Sequence, residues 1–196
     1  VQIIHGMREH MGRYHDFATY LTQHGFAVYG HDHLGHGKTA ELNGGPYGFF
    51  DERDGARALV RDCGRITMEI QREHPGVPRF LLGHSMGSFV GRLYILQAAS
   101  AFSGFICMAT GGPLPIAPFA RAIAEVASLT LGGQRPSRVL SRLVGRHNSR
   151  GIPKEQGRSA WVSRDASVAL AYSEDPHARP RFTNRGFGDL FDLQLA

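Results

Sequence analysis

Cysteine, lysine and long apolar runs are scarce in this sequence of 196 residues. The two cysteines, Cys63 in a helical pattern and Cys107 in an apolar run, are both predicted to be small core residues, so a disulfide framework is not expected. No stretch of about 18 apolar residues occurs, so the sequence offers no candidate for a membrane-spanning helix. This composition fits a reducing compartment, and we expect a cytoplasmic protein whose membrane contact, if any, is peripheral.

Lysine is replaced almost throughout by arginine, since only Lys38 and Lys154 of the 22 basic residues are lysine. The net charge of +5 comes from residues 113–196, which carry 12 basic against 7 acidic side chains, while residues 1–112 balance to zero. Aromatic residues are not interleaved with the arginines as base stacking requires, so no nucleic-acid partner is predicted. A genomic preference for arginine is the simpler interpretation, and contact with anionic lipid is the functional alternative.

The most informative stretch is a Gly-x-Ser-x-Gly motif from Gly83 to Gly87. The apolar run Phe80–Leu82 precedes it and apolar residues at helical spacing follow it, which is the strand–turn–helix context of a nucleophile elbow. Side chains at 83 or 87 would collide with the neighbouring strand and helix, so glycine is required there. Ser85 is the candidate nucleophile, and the alternative is an ordinary turn whose serine has no special role.

Strands alternate with helices over residues 1–112, which predicts an α/β protein with a mostly parallel sheet and helices on both faces. The predicted strands are Val1–Ile4, Phe26–Tyr29, Phe80–Leu82 and Gly104–Ala109, and the predicted helices before the elbow cover residues 14–21 and 51–74. Active sites in such sheets lie at the carboxyl ends of the strands. The turns at His5, Asp32 and Gly83 fall at such ends.

The pattern changes after Gly112. Residues 113–196 contain helical patterns at 119–131 and 138–144, a basic connector near 146–158 and no convincing strand. We therefore predict two parts, a partial α/β core over residues 1–112 (the first part) and a helical cap or lid over residues 113–196 (the second part).

Two motifs point to other chemistry and are set aside. Gly37-Lys38-Thr39 resembles the end of a phosphate-binding loop, but position 32, where that loop needs a glycine, is Asp32. The three histidines between residues 31 and 36 resemble the zinc motif of metallo-β-lactamase-like hydrolases, but Gly35 occupies the position of its aspartate. We predict no metal site, and we expect this loop to shape the rim beside the elbow.

The turn His5-Gly6-Met7 supplies a further candidate group. A glycine directly after a strand lets the backbone approach the elbow, so that the N–H of Met7 could stabilise an oxyanion. The second donor would be the N–H of Met86, the residue after the candidate nucleophile.

Three blocks in this order resemble the α/β-hydrolase family of monoacylglycerol lipases and lysophospholipases. They are His5-Gly6-x-x-Glu9-His10, Gly-Phe-x-Val-Tyr-x-x-Asp32-x-x-Gly35-His36-Gly37-Lys38, and Gly83-His84-Ser85-Met86-Gly87. Ser88 stands where the family usually has another glycine, which should crowd the turn slightly. The segments Trp161–Asp165 and Asp175-Pro176 are similar to that family's helical cap.

The resemblance implies a serine hydrolase that cleaves acyl esters such as monoacylglycerols or lysophospholipids. Ser85 would attack the ester carbonyl, Gly83, His84 and Gly87 would form the elbow, and water would hydrolyse the acyl-enzyme. The cap would form an apolar acyl channel, and neither a metal nor an organic cofactor would be needed.

The resemblance also implies a triad acid and histidine that follow the cap in the chain. The only histidines after Ser85 are His147 and His177, both in the cap-like part, and neither is assigned as the base. Asp165, Asp175 and Asp189 are equally poor candidates for the acid. We therefore expect the triad Asp and His to lie outside this chain, which reads as a fragment shortened at both ends and inactive alone.

Other functions stay open because one fold hosts many reactions. Within enzymes, the alternatives are a peptidase, a thioesterase or a haloperoxidase-like α/β-hydrolase. Outside enzymes, the alternative is a binding module that keeps the elbow without a triad.

Overall fold

The computed structural model describes residues 1–112, 114–157 and 159–196. Pro113, where the predicted second part begins, and Arg158, in the predicted basic connector, lie outside the described residues. The strands are β1 (Gln2–Ile4), β2 (Tyr29–Gly30), β3 (Phe80–His84) and β4 (Gly104–Met108). The α-helices of the described residues are α1 (His15–Gln23), α2 (Gly37–Asn43), α3 (Gly55–Glu73), α4 (Met86–Ala98), α5 (Ala117–Leu131), α6 (Arg138–Asn148), α7 (Ala166–Glu174) and α8 (Asn184–Leu195).

The four strands form one parallel sheet in the order β2-β1-β3-β4, which confirms the predicted α/β architecture. Ile4 at the end of β1 lies opposite Gly83 near the end of β3. Because parallel strands end at the same edge of the sheet, the His5 turn and the Ser85 turn leave it side by side.

One buried hydrophobic cluster joins the two parts of the chain. Ile4, Leu59 and Val90 of the first part belong to the same cluster as Phe187 and Leu190 of α8. Helix α8 packs mainly on α5 and also contacts α3 and α4. The division at residue 112 stays a prediction, but α8 is built into the shared core.

Two local expectations differ from the structure. Strand β2 covers Tyr29–Gly30 instead of 26–29, because its residues pair only with Gln2 and Ile3 of β1. Cys63 is buried as predicted, whereas Cys107 is exposed because β4 is the last strand of the described sheet.

Helix α2 is an addition to the predicted elements. The carboxylate of Asp32 accepts the N–H of Lys38 at 2.8 Å, and the Thr39 hydroxyl donates to the Asp32 carbonyl at 2.7 Å. These contacts hold the first turn of the helix, and Gly44 ends it with a φ of 59°.

Among the described residues, no helix is both long enough and apolar enough to cross a membrane.

Candidate active site

Ser85 occupies the sharp turn between β3 and α4. Its backbone has φ 51° and ψ −120°, a conformation that residues with a Cβ rarely adopt. The Ser85 N–H donates to the Met108 carbonyl of β4 at 3.0 Å, which holds the turn against the sheet. The predicted strand–turn–helix is therefore present, and its serine is strained.

The two elbow glycines are required by backbone contacts. A Cβ on Gly83 would lie 2.6 Å from the carbonyl oxygen of Gly87, and a Cβ on Gly87 would lie 2.1 Å from the carbonyl oxygen of Ile4. Both contacts are with backbone atoms, which cannot rotate away. The predicted collision with a helix at 83 and with a strand at 87 is confirmed.

Ser88 fits the turn without displacing it. Its Oγ lies 2.5 Å from the Ser85 carbonyl oxygen and 2.7 Å from the Thr110 hydroxyl. Ser88 Oγ can donate to the carbonyl while it accepts from Thr110, so both contacts are satisfied. The side chain thus joins α4 to the segment that follows β4.

The His5-Gly6-Met7 turn lies directly against the elbow. A Cβ on Gly6 would come within 3.0 Å of the Ser85 Cβ, so glycine allows this approach. Met86 is the first residue of α4, and its N–H therefore has no acceptor within the helix. In the part of the chain that the structure describes, neither the Met7 N–H nor the Met86 N–H donates a hydrogen bond.

Glu9 joins this turn to the elbow. Its Oε1 accepts from the Gly6 N–H at 2.5 Å, from His84 Nδ1 at 2.7 Å and from the Tyr14 hydroxyl at 2.9 Å. Burial alone would raise the pKa of Glu9, but the hydrogen bond and charge of His84 outweigh it and lower that pKa to about 2. In the sequence, Glu9 and His84 are members of two separate motifs, and the contact between their side chains was not predicted.

Three buried histidines lie behind the turn. His5 Nε2 accepts the N–H of His33 at 3.0 Å, and His36 Nε2 accepts the N–H of Arg8 at 3.3 Å. Burial lowers the pKa of His5 to about 4 and that of His36 to about 3, so both rings are neutral near pH 7. Within the described ranges, no three His, Cys, Asp or Glu side chains are arranged to hold a metal ion. These rings instead bind the backbone of the turn.

A cavity of about 500 Å³ is lined by Ser85, Met7 and Met86. Its other walls come from both parts of the chain and are mostly apolar. Phe89, Leu114, Ala117, Ala120, Leu143, Val144, Leu190 and Phe191 are among the lining residues. Among the described residues that line the cavity, Arg146 alone has a permanent charge.

The residues rejected as triad members are engaged elsewhere or lack a contact with Ser85. His147 lines the cavity at the end of α6, and His177 contacts the Tyr47 hydroxyl at 3.0 Å. No hydrogen bond joins Ser85 Oγ to a histidine within residues 1–112, 114–157 and 159–196. Each of the three aspartates has another partner. Asp165 accepts the Ser167 N–H in the first turn of α7, Asp175 binds His10, and Asp189 accepts the Gly55 N–H.

Comparisons with known proteins agree with this fold. The family described as "Serine aminopeptidase, S33" matches residues 1–195. A "Monoglyceride lipase homolog" of monkeypox virus is 31% identical over 187 residues, which are 95% of this chain and 59% of the viral protein. A "Monoacylglycerol lipase" of Mycolicibacterium smegmatis is 30% identical over 188 residues, 90% of this chain and 55% of that protein. The chain thus spans somewhat more than half the length of these relatives.

A solved structure shows the same architecture. A highly thermostable carboxyl esterase from Bacillus coagulans, crystallised with glycerol, superposes with a TM-score of 0.89 at 25% identity. The superposition covers 98% of this chain and 62% of the esterase. The fold and the family resemblance predicted from the sequence are confirmed, and the chain belongs to the serine aminopeptidase S33 family of α/β-hydrolases.

Proposed function

We propose that the full-length protein is a serine hydrolase that cleaves acyl esters, such as monoacylglycerols or lysophospholipids, through Ser85. The observation that carries the proposal is the strained Ser85 turn beside a mostly apolar cavity. Relatives named as monoglyceride and monoacylglycerol lipases and the superposed carboxyl esterase support it. Because the chain spans only part of its relatives, this activity belongs to the full-length protein.

In the proposed reaction, a base takes the hydroxyl proton of Ser85 while Oγ attacks the ester carbonyl carbon. The carbonyl oxygen becomes an anion and accepts hydrogen bonds from the N–H groups of Met7 and Met86. Each such donor contributes about 3 kcal/mol to the transition state. The protonated base then gives its proton to the leaving alcohol, and water, activated by the same base, hydrolyses the acyl-enzyme. The base and its acid come from outside these 196 residues.

The second part acts in this proposal as the cap. Helices α5, α6 and α8 supply half of the apolar residues that line the cavity, so an acyl chain would lie between them and Phe89 of α4. An apolar chain buried there is favoured by the hydrophobic effect, whereas a charged substrate group would meet, among the described lining residues, the single permanent charge of Arg146.

The test uses the full-length protein and a fluorophosphonate probe, with intact mass as the readout. We expect one adduct, located on Ser85 by peptide mapping, and hydrolysis of a monoacylglycerol. Ser85→Ala should abolish both, and Ser88→Ala, the matched control in the next turn, should keep the adduct. A full-length protein that takes no adduct and hydrolyses no ester would refute the proposal and favour a non-catalytic binding module.

A peptidase is the second candidate, because the matching family is described as a serine aminopeptidase. The two reactions share the nucleophile and differ in the leaving group. Hydrolysis of aminoacyl anilides at a higher kcat/KM than acyl esters would favour the peptidase. We expect the reverse order, since the described residues of the cavity lining include no acidic side chain that could bind a free amino group.

We also propose that the second part contacts membranes that contain anionic lipid, as a cytoplasmic protein with peripheral attachment. The groove between α5 and α6 is lined by apolar side chains such as Phe119 and Val126 and by Arg135 and Arg138. Phe119 is 66% exposed, and the net positive charge of the chain lies in this part. Apolar insertion and attraction to lipid phosphates would act together there.

Vesicle sedimentation tests this contact. Binding should need anionic phospholipid and weaken at high salt, and Arg135→Gln with Arg138→Gln should weaken it as salt does. Leu42→Ser removes an apolar residue of the first part that is even more exposed than Phe119, and it serves as the control, with no expected loss of binding. Binding that ignores salt would contradict the electrostatic part of the proposal.

A further inference from the structure

Arg8 follows Met7 directly and has an unfavourable backbone conformation. Its φ is 57°, in the left-handed region that favours glycine. A strained residue keeps such a conformation only where surrounding contacts impose it. One of these contacts is the hydrogen bond from the Arg8 N–H to His36 Nε2, at 3.3 Å.

The side chain of Arg8 supplies the remaining contacts and reaches the second part of the chain. Its Nε donates to the carbonyl oxygen of Ala178 at 3.0 Å, and its Nη2 donates to that of Arg179 at 3.2 Å. The planar guanidinium thus binds two consecutive backbone carbonyls of the segment between α7 and α8. Ala178 is fully buried, so this segment is a fixed anchor.

We propose that Arg8 is a positioning residue that holds the backbone N–H of Met7 toward the cavity. The Gly6–Met7 peptide, which carries this N–H, lies between the approach to the elbow at Gly6 and the backbone of Arg8, whose side chain binds the anchor at residues 178–179. With the guanidinium removed, the Arg8 backbone can leave the left-handed region, and the Gly6–Met7 peptide before it is then free to turn. The oxyanion hole would thereby depend on the docking of the second part. This inference rests on the proposed function, since an oxyanion must form for the N–H to act.

The variant Arg8→Gly separates positioning from folding. Glycine adopts a positive φ without strain and keeps the N–H that binds His36, so the melting temperature should stay within a few degrees. The anchor segment also stays docked, because His10 and Asp175 remain paired at 2.7 Å. What is lost is the side-chain restraint on the backbone at residue 8 and, through it, on the direction of the Gly6–Met7 peptide.

In the full-length protein, we expect Arg8→Gly to lower kcat about ten- to a hundredfold with KM nearly unchanged, since the contact is made only in the transition state. Arg8→Lys, which offers one donor group instead of a planar pair, should retain part of kcat. Arg121→Gln is the control, because it breaks an arginine contact between α5 and Asp192 of α8 away from the elbow. That control should keep kcat within about twofold.

Amide hydrogen exchange provides the second readout, which needs no substrate. Residues 5–9 should exchange faster in Arg8→Gly and at the wild-type rate in Arg121→Gln. An unchanged kcat, equal losses in both variants or unchanged exchange over residues 5–9 would each overturn the inference. If the wild-type protein neither takes a probe at Ser85 nor hydrolyses an ester, the proposed function fails, and unchanged exchange then also overturns the positioning of Met7.

Discussion

Two buried carboxylates, Glu9 beside the elbow and Asp189 in α8, have opposite surroundings. Glu9 Oε1 accepts three hydrogen bonds and its pKa is lowered to about 2. Asp189 accepts one N–H, from Gly55, while its Oδ2 has no partner among the described residues, and burial raises its pKa to about 7. Both are almost inaccessible to solvent, so the hydrogen bonds and nearby charge that each carboxylate finds, rather than its depth of burial, decide the direction of the pKa shift.

The contrast between these two carboxylates matches a difference between the elbow and the second part of the chain. At the elbow, backbone atoms, glycines and a carboxylate fix one geometry that the proposed chemistry needs. In the second part, apolar side chains such as Leu129 stay exposed and a buried carboxylate is left half-satisfied. A site that is proposed to hold an oxyanion requires rigidity, whereas the surface of the proposed cap does not.

The largest expected effect is that of Gly87→Ala, which attacks the rigid region. The added Cβ would lie 2.1 Å from the Ile4 carbonyl oxygen and 2.6 Å from that of His5. Because both are backbone atoms, α4 must separate from β1, at a cost of about 4 kcal/mol or more. Urea unfolding should show this loss, together with the loss of probe labelling at Ser85. A folded, labelled variant of wild-type stability would contradict the rigid elbow.

Glu9→Gln tests the satisfied carboxylate. Because the folded pKa is about 2 and the ordinary value 4.5, ionised Glu9 contributes stability above pH 4.5 that is lost as pH falls from 4.5 toward 2. The size of the shift corresponds to about 3 kcal/mol. We expect the variant to be less stable than wild type by about that amount at pH 7 and the difference to shrink below pH 4.5.

Urea unfolding at several pH values checks this prediction, and Glu174→Gln on α7 is the control. Glu174 is exposed, so its replacement should change the free energy of unfolding by less than about 0.5 kcal/mol. A Glu9→Gln difference that did not depend on pH would mean that Glu9 acts through packing instead of charge.

Asp189→Asn tests the unsatisfied carboxylate and should act in the opposite direction. The folded pKa, about 7, exceeds the ordinary 3.8, so ionisation of Asp189 destabilises the protein as pH rises from 3.8 through 7. An amide stays neutral, and the variant should be more stable than wild type at pH 8, by at most about 4 kcal/mol, which is the size of this shift. At pH 4 the two proteins should be nearly equal. A variant that is less stable at both pH values would show that Arg185, whose Nε lies 3.8 Å from Asp189, compensates the charge.

Much of the rigid region could be predicted from the sequence because its signals are local. The Gly83 and Gly87 positions and the apolar run before them lie within a few residues of Ser85. The contact between Glu9 and His84 joins residues 75 positions apart and depends on the β1–β3 pairing, which no local pattern encodes. The positive φ of Arg8 could not be predicted either, because we attribute it to a contact with Ala178, which lies 170 residues away in the chain.

In the second part, local patterns predicted where helices form but not which other elements those helices pack against. The apolar spacing of residues 119–131 identified α5, and Gly132 follows its last residue. The burial of Asp189 was not predictable, since it depends on the packing of α8 against α3. Similarly, Cys107 was expected in the core because apolar spacing identifies a strand but not whether another strand lies beside it.

The smallest expected effect is that of Gly145→Ala, which repeats the chemistry of Gly87→Ala in the second part. Gly145 lies inside α6, and no described atom comes within 4 Å of a Cβ placed there. Alanine has the higher helix propensity and restricts the unfolded chain, so the variant should gain up to about 1 kcal/mol. Thermal unfolding should show a rise of about 2–4 °C. A fall in its place would mean that this face of α6 packs against atoms beyond the described residues, and the contrast with the elbow would then no longer hold.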